Sequence, residues 1–436
     1  MAVSPFDSAL HAPLLADEEI SGLFTDAAEL RALARVEAAL ATAQAERGLI
    51  PAAAAEAIDR AAREAVFDAA GIGRSVAENG VPVPGLLAEF RAALAPDHAR
   101  HLHFGATSQD IIDTGLALRL VRALDVIERR LSRALRALGG LAGAHADLPM
   151  AARTWGQVAV PTSFGAVVAG WGAPLRRHLD AVAALRAEIG AIQLGGAAGT
   201  LSAMGPEGGA VRAAMAARLG LSDPGGPWHS DRARIGALAG WCAGLAASLA
   251  KMGEDLLLLT RSDLGEVALA SGGSSSTMPQ KRNPVQPAAM LALARHAAAM
   301  EAPLRAAGAA REARDGAAWM GEWLSLPQMV VATGRTAALA GDLAETLAPV
   351  PARMAANLEG PLGLIHAEAL SFALTGEMAR PEAEQAVKAL VRRAEGEGRP
   401  LPALAAAAYP WLDIAALTDP AARLGEAPDQ AKRFAA

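Results

Sequence analysis

Lysine is nearly absent from this chain. In 436 residues it stands only at Lys251, Lys281, Lys388 and Lys432. The formal net charge is −6, so there is no basic excess with which to grip nucleic acid. The single cysteine, Cys242, excludes an intrachain disulfide and a cysteine cage for a metal. It lies in an apolar run, where a packed structural thiol is the expected role. Aromatic residues make up 4% and β-branched residues are sparse, whereas Ala and Leu abound. Strong helix formers without strand formers predict an all-α protein. No Lys or Arg precedes Arg31, so the start does not read as a secretory signal. The apolar run 236–250 reads as too short to span a bilayer and is followed by Lys251, Glu254 and Asp255. The expectation is a cytoplasmic protein with no membrane partner.

What is present in quantity is helical periodicity. Leu116, Leu120, Leu124, Ile127, Leu131, Leu135 and Leu138 recur at steps of three and four. The same spacing runs through Leu175, Leu179, Val182, Leu185, Ile189 and Ile192, and again through Leu238, Trp241, Leu245, Leu249, Met252, Leu256 and Leu259. A fourth stripe covers 329–347. Such long amphipathic helices cannot bury themselves singly, so a large bundle extended by partner subunits is expected. Shorter patterns flank them, and the predicted domains are 1–108, 109–350 and 351–436. In the first, Pro51 is read as opening a helix that ends near Gly71-Ile72-Gly73, and 78–85 as a loop. In the last, His366 stands among Leu364, Ile365, Leu370 and Phe372, as a core or interface histidine would.

Polar segments interrupt the helices at 101–110, 153–165, 193–200 and 272–284. The run 193–200 has Gly195, Gly196 and Gly199 without the lysine of a phosphate loop. A tight turn with close backbone approach and a substrate-lining role are equally compatible with it. The segment 272–284 reads Gly-Gly-Ser-Ser-Ser-Thr-Met-Pro-Gln-Lys-Arg-Asn-Pro. Its glycines and prolines disfavour continuous helix. A plain Gly/Ser linker has no use for the second half, with a rare lysine and an asparagine. A polar loop on a rigid scaffold is a common place for chemistry.

This loop resembles the signature of the fumarase/aspartase superfamily, Gly-Ser-Ser-x-Met-Pro-x-Lys-x-Asn-Pro. The match runs from Ser275 to Pro284, with Ser274 where the family usually has Gly. The segments 101–110 and 153–165 resemble that family's other two motif regions, in the same order. The resemblance implies an all-α, three-domain, fumarase/aspartase-like fold with a central long-helix bundle. It also implies a homotetramer whose active sites each take one region from three subunits. Its chemistry is addition to, or elimination from, a carbon beside a carboxylate, without metal or organic cofactor. By position, Ser275 matches the catalytic serine, with Ser276 the next candidate. Lys281 and Asn283 match carboxylate-holding positions. Thr107 and Ser108 match the first region's carboxylate ligands, although they also suit a helix cap. Thr154 and Gln157 match second-region substrate contacts.

Two departures narrow the reaction. Many family members have Thr-His in the second region, where this chain has Thr154-Trp155. An indole N–H donates but does not shuttle protons at neutral pH. An enzyme that must protonate an amine leaving group would lack its acid, whereas one in which a carboxylate adds to a double bond needs none. Adenylosuccinate-type members also carry a phosphate-gripping Ser and Arg after an Arg-Asp pair. Here Arg314-Asp315 is followed by Trp319 and Trp323 instead. The expected substrate is therefore a small polycarboxylate, with Arg314 among its ligands, and the expected enzyme a lactone-forming cycloisomerase. The alternative is an amine-eliminating lyase that draws its acid from elsewhere, such as His101 or His103.

Overall fold

The computed structural model describes residues 3–270, 272–274 (Ser274 by its backbone) and 277–436. Helix dominates, as the composition predicts. The long helices are Asp26–Glu46, Ser108–Ala144, Phe164–Ile189, Ala233–Leu259, Val285–Ala306 and Gly316–Thr346. Strands among the described residues form only three two-stranded ladders. The chain divides into two compact units. One comprises Met1–Arg130, His178–Ala247 and Ala292–Ala337, and the other Leu131–Arg177, Ser248–Leu291 and Ala338–Ala436.

The leucine stripe of Ser108–Ala144 is buried along its whole length, and Leu131 and Leu138 are fully so. In the first unit, Leu33, Val36 and Leu40 of Asp26–Glu46 pack with Ile111, Ile112, Leu194, Met215 and Trp319 in one core. At ~25 cal/mol per Å² of apolar surface, such burial is the main stabilising contribution. In the second, Leu370, Leu374, Val387, Leu390 and Leu404 close a smaller core of helices near the C-terminus.

Several boundaries differ from the sequence reading. The helix opened by Pro51 ends at Glu64, and a new one, Ala69–Asn79, runs through Gly71 and Gly73. Asp68 caps it by accepting the Ala70 N–H, which offsets the two glycines. The expected loop at 78–85 shrinks because Val83–Ala92 starts directly after Pro82, a residue whose fixed φ suits a helix start. The apolar run 236–250 belongs to the 27-residue helix Ala233–Leu259, which is long and apolar enough to cross a membrane. Half of its most apolar window is buried inside the protein, and Asp255 within it accepts the Trp171 indole N–H at 2.7 Å. These are features of a core helix.

Cys242 is fully buried, and burial pushes its thiol up to about 12. His366 is buried too, and burial, with Arg423 nearby, holds its pKa below the ordinary value. Both fit the structural roles expected of them.

Candidate active site

In the first unit the site is built on the start of Ser108–Ala144. Asp110, in the first turn, is fully buried. Its carboxylate accepts the Thr107 backbone N–H at 3.0 Å, which is the reciprocal half of a capping box. It also accepts the Gly195 and Gly196 N–H groups, each at 2.9 Å, and His229 Nε2 lies 2.7 Å away. The glycine turn is thereby stapled to the helix start. A side chain at Gly195 would put its Cβ 2.6 Å from Pro227, and Gly196 has φ +69° with the Gly105 oxygen 2.9 Å from its Cβ position. Of the two readings of 193–200, close backbone approach is thus met directly. Thr107 and Ser108 sit half-buried at the positive end of a 37-residue helix, a position suited to a carboxylate.

Gln109 links this turn to Arg314. Its Oε1 accepts Arg314 Nε at 2.9 Å, and Arg314 Nη2 donates to the Ala197 carbonyl at 3.3 Å. Its Nε2 donates to Asp113 at 3.1 Å and to the His229 carbonyl at 3.0 Å. Arg314 is thereby tied to the residue that follows Ser108 and to the glycine-rich turn.

Beneath lies a charge network that the sequence reading missed. Arg232 donates to Asp113 at 2.7 Å, and to both oxygens of Glu322 at 2.8 and 2.5 Å. All three are buried. Burial alone would lower the Arg232 pKa, but Asp113 and Glu322 outweigh it and raise it. Burial raises the Glu322 pKa, and Arg232 offsets this only in part. Trp319 donates its indole N–H to Asp113 at 3.1 Å and stacks edge-on against Trp323. So Trp319 is a buttress of the buried network. That gives the indole at this position a structural place of its own.

His103 has a left-handed backbone, φ 63°, and its Nδ1 lies 2.6 Å from Oε1 of the fully buried Glu37. Burial pushes the imidazole pKa down, but the Glu37 carboxylate and, more weakly, Asp110 reverse this and leave it raised. Glu37→Gln removes the largest of those upward contributions. We expect the His103 titration, followed by NMR, to move to lower pH in that variant, and an unchanged midpoint would show that Glu37 does not hold the charge.

In the second unit, the region 153–165 contains a turn of β-hairpin where a polar break between helices was expected. Strands Pro149–Thr154 and Gln157–Ser163 pair antiparallel, with Thr154 opposite Gln157. Trp155 and Gly156 form the tip with φ 54° and 76°, as a two-residue hairpin turn requires. Trp155 is fully exposed, and Thr154 and Gln157 flank it in solvent. One pair below the tip, Arg153 donates at 2.8 and 2.7 Å to the fully buried Glu266, a carboxylate that also accepts Asn357 Nδ2 at 2.9 Å. This bidentate pair aims the tip.

The signature loop stands on a short ladder. Gly273 pairs with Asn283 and Ser274 with Arg282. Thr277 to Lys281 are exposed, and the Lys281 N–H closes a turn onto the Met278 carbonyl at 3.0 Å. Asn283 thus belongs to the returning strand of the ladder, and Lys281 lies in the exposed segment just before it. Ser275 and Ser276 lie outside the described residues.

The segment spanning residues 15–298 matches the family model described as lyase. A 3-carboxy-cis,cis-muconate cycloisomerase of Bradyrhizobium diazoefficiens is 38% identical over 400 residues, covering 90% of this chain and 89% of that one. A nitrosuccinate lyase of Streptomyces davaonensis is 36% identical over 447 residues, covering 97% and 93%. The crystal structure of the 3-carboxy-cis,cis-muconate lactonizing enzyme from Pseudomonas putida aligns with a TM-score of 0.93 at 33% identity, covering 98% of both chains. With its helical architecture, its three motif regions and these likenesses, the chain belongs to the lyase family of the fumarase/aspartase superfamily.

Proposed function

We propose that this enzyme is a 3-carboxy-cis,cis-muconate cycloisomerase. The observation that carries the reading is Trp155 at the hairpin tip, in a chain whose similarity to the Bradyrhizobium and Pseudomonas cycloisomerases is nearly full-length. The reaction is an intramolecular addition that gives a carboxymuconolactone, of the kind used in protocatechuate breakdown. The distal carboxylate of the substrate attacks C3, and the C2–C3 π electrons move toward the C1 carboxylate. Fixed donors are needed where that charge grows. Thr107, Ser108, Arg314, Lys281 and Asn283 are assigned to the carboxylates, and Thr154, Trp155 and Gln157 to the substrate's flank. Ser275 delivers its hydroxyl proton to C2, with Ser276 as the alternative donor, and Lys281 stabilises the serine alkoxide until solvent reprotonates it. The product needs no leaving-group acid, in keeping with an indole in place of an imidazole.

The assignment includes a cytoplasmic homotetramer whose sites each combine the Thr107 region, the hairpin and the signature loop from different subunits. The division into domains 1–108, 109–350 and 351–436 is proposed on the same family resemblance.

A second reading rests on the Streptomyces relative. Nitrite is a weakly basic leaving group, so elimination from nitrosuccinate also needs no strong acid. Both substrates are therefore assayed side by side by ultraviolet absorbance. Loss of the muconate diene signal without nitrite release from nitrosuccinate is the expected outcome. Nitrite release with an untouched diene would replace the cycloisomerase reading by the second.

A further inference from the structure

The first unit contains a cavity of about 420 Å³ whose lining includes none of the residues assigned to the reaction. Its walls are mostly apolar and include Phe24, Leu30, Ile72, Val76, Leu116 and Trp323. The volume lies in the range of small-molecule pockets. Among the described residues, one cation lines it. The Arg119 side chain is 9% exposed, and its contacts are long: Glu29 at 3.5 Å, the Gly115 carbonyl at 3.3 Å, and the Phe24 ring at 5.7 Å. A guanidinium has five N–H donors in a planar fork, so these contacts leave much of its capacity unmet. Burial lowers the Arg119 pKa and Glu29 compensates only in part, which is the mark of an under-solvated cation.

The carboxylates around the cavity do not cancel that cation. Glu322 is already held through both oxygens by Arg232. Asp26 is exposed in the first turn of Asp26–Glu46, where it faces the helix's own positive end. Glu29 is a third exposed and can swing out to water. We propose that this cavity is a second binding site, for a small monocarboxylic acid with an apolar body. The acid's carboxylate takes the Arg119 fork in place of Glu29, and its body lies between Phe24, Ile72 and Trp323. The site is separate from the substrate's carboxylate ligands and does not depend on the reaction assigned above.

The test is isothermal titration of the full-length protein with benzoate, beside benzyl alcohol and benzylamine. Saturable binding of one benzoate per chain is expected, about tenfold or more tighter than benzyl alcohol, because the alcohol lacks the charge-assisted fork. Binding should vanish in Arg119→Gln. It should vanish equally in Ala69→Leu, which fills the cavity from a lining position and leaves the guanidinium in place. Circular dichroism melts check both variants, and if Arg119→Gln does not fold, Ala69→Leu decides. The proposal is overturned by no benzoate binding to the wild type at millimolar concentration, or by benzyl alcohol or benzylamine binding as tightly. It is equally overturned if benzoate binding persists in folded Ala69→Leu, since that result places benzoate at the Thr107–Ser108 carboxylate site.

Discussion

Ser275→Ala lowers kcat for lactone formation by roughly a thousandfold and leaves KM within a few-fold, because the hydroxyl is needed when the proton moves and not when the carboxylates are bound. Thermal melts of the variant beside the wild type separate a lost hydroxyl from a lost fold. The measurement is a steady-state assay of diene loss, with Ser276→Ala as the comparison. A full rate in Ser275→Ala and a collapsed rate in Ser276→Ala would transfer the proton donor by one residue. Equal retention in both would remove the serine mechanism.

Arg232→Met is the second large effect, and it acts on stability. It leaves Asp113 and Glu322 buried with no cation between them. Losing one partner of a buried ion pair costs about 3–5 kcal/mol. The loss has a pH signature. Burial already raises the Glu322 pKa in the wild type, and without Arg232 it rises further. A carboxyl whose folded pKa exceeds its unfolded value favours the folded state below the unfolded pKa, and that advantage fades as pH rises through the folded one. The variant's deficit, read from urea midpoints, should therefore be largest at neutral pH and shrink on acidification toward pH 5. A deficit that does not change with pH would mean that lost packing against Trp228, over which Arg232 lies at 4.8 Å, dominates instead.

The architecture was legible because helical burial is periodic. Leu116 to Leu138 needed only their spacing to be placed on one buried face. The motif segments were legible because glycine, proline and a rare lysine break that period. Two kinds of feature were not. The hairpin 149–163 escaped because its strands are short and its turn carries Trp where Asn or Asp would announce a two-residue turn. The buried charges escaped because nothing in the sequence immediately around them marks them as buried. Asp113 meets its arginine 119 residues away, and Arg232 meets Glu322 after 90. Glu266 and Arg153 are likewise 113 residues apart. No local pattern encodes such pairings. Asp110 was the exception within reach, since Thr107 followed three positions later by a carboxylate is capping-box spacing.

The tip of the hairpin has one more implication. A side chain with a Cβ costs about 1–2 kcal/mol in the left-handed region that Trp155 occupies. Water surrounds its indole, so the lone chain recovers none of that through burial. The residue is a local frustration, at odds with the foldability of its own hairpin. Engineering that rewards thermal tolerance alone would drift toward Asn here, and would shed the ring together with the strain. If Trp155 flanks the substrate as proposed, a stabilised descendant obtained in that way would be a better folder and a poorer enzyme, so selections on this scaffold should hold position 155 fixed.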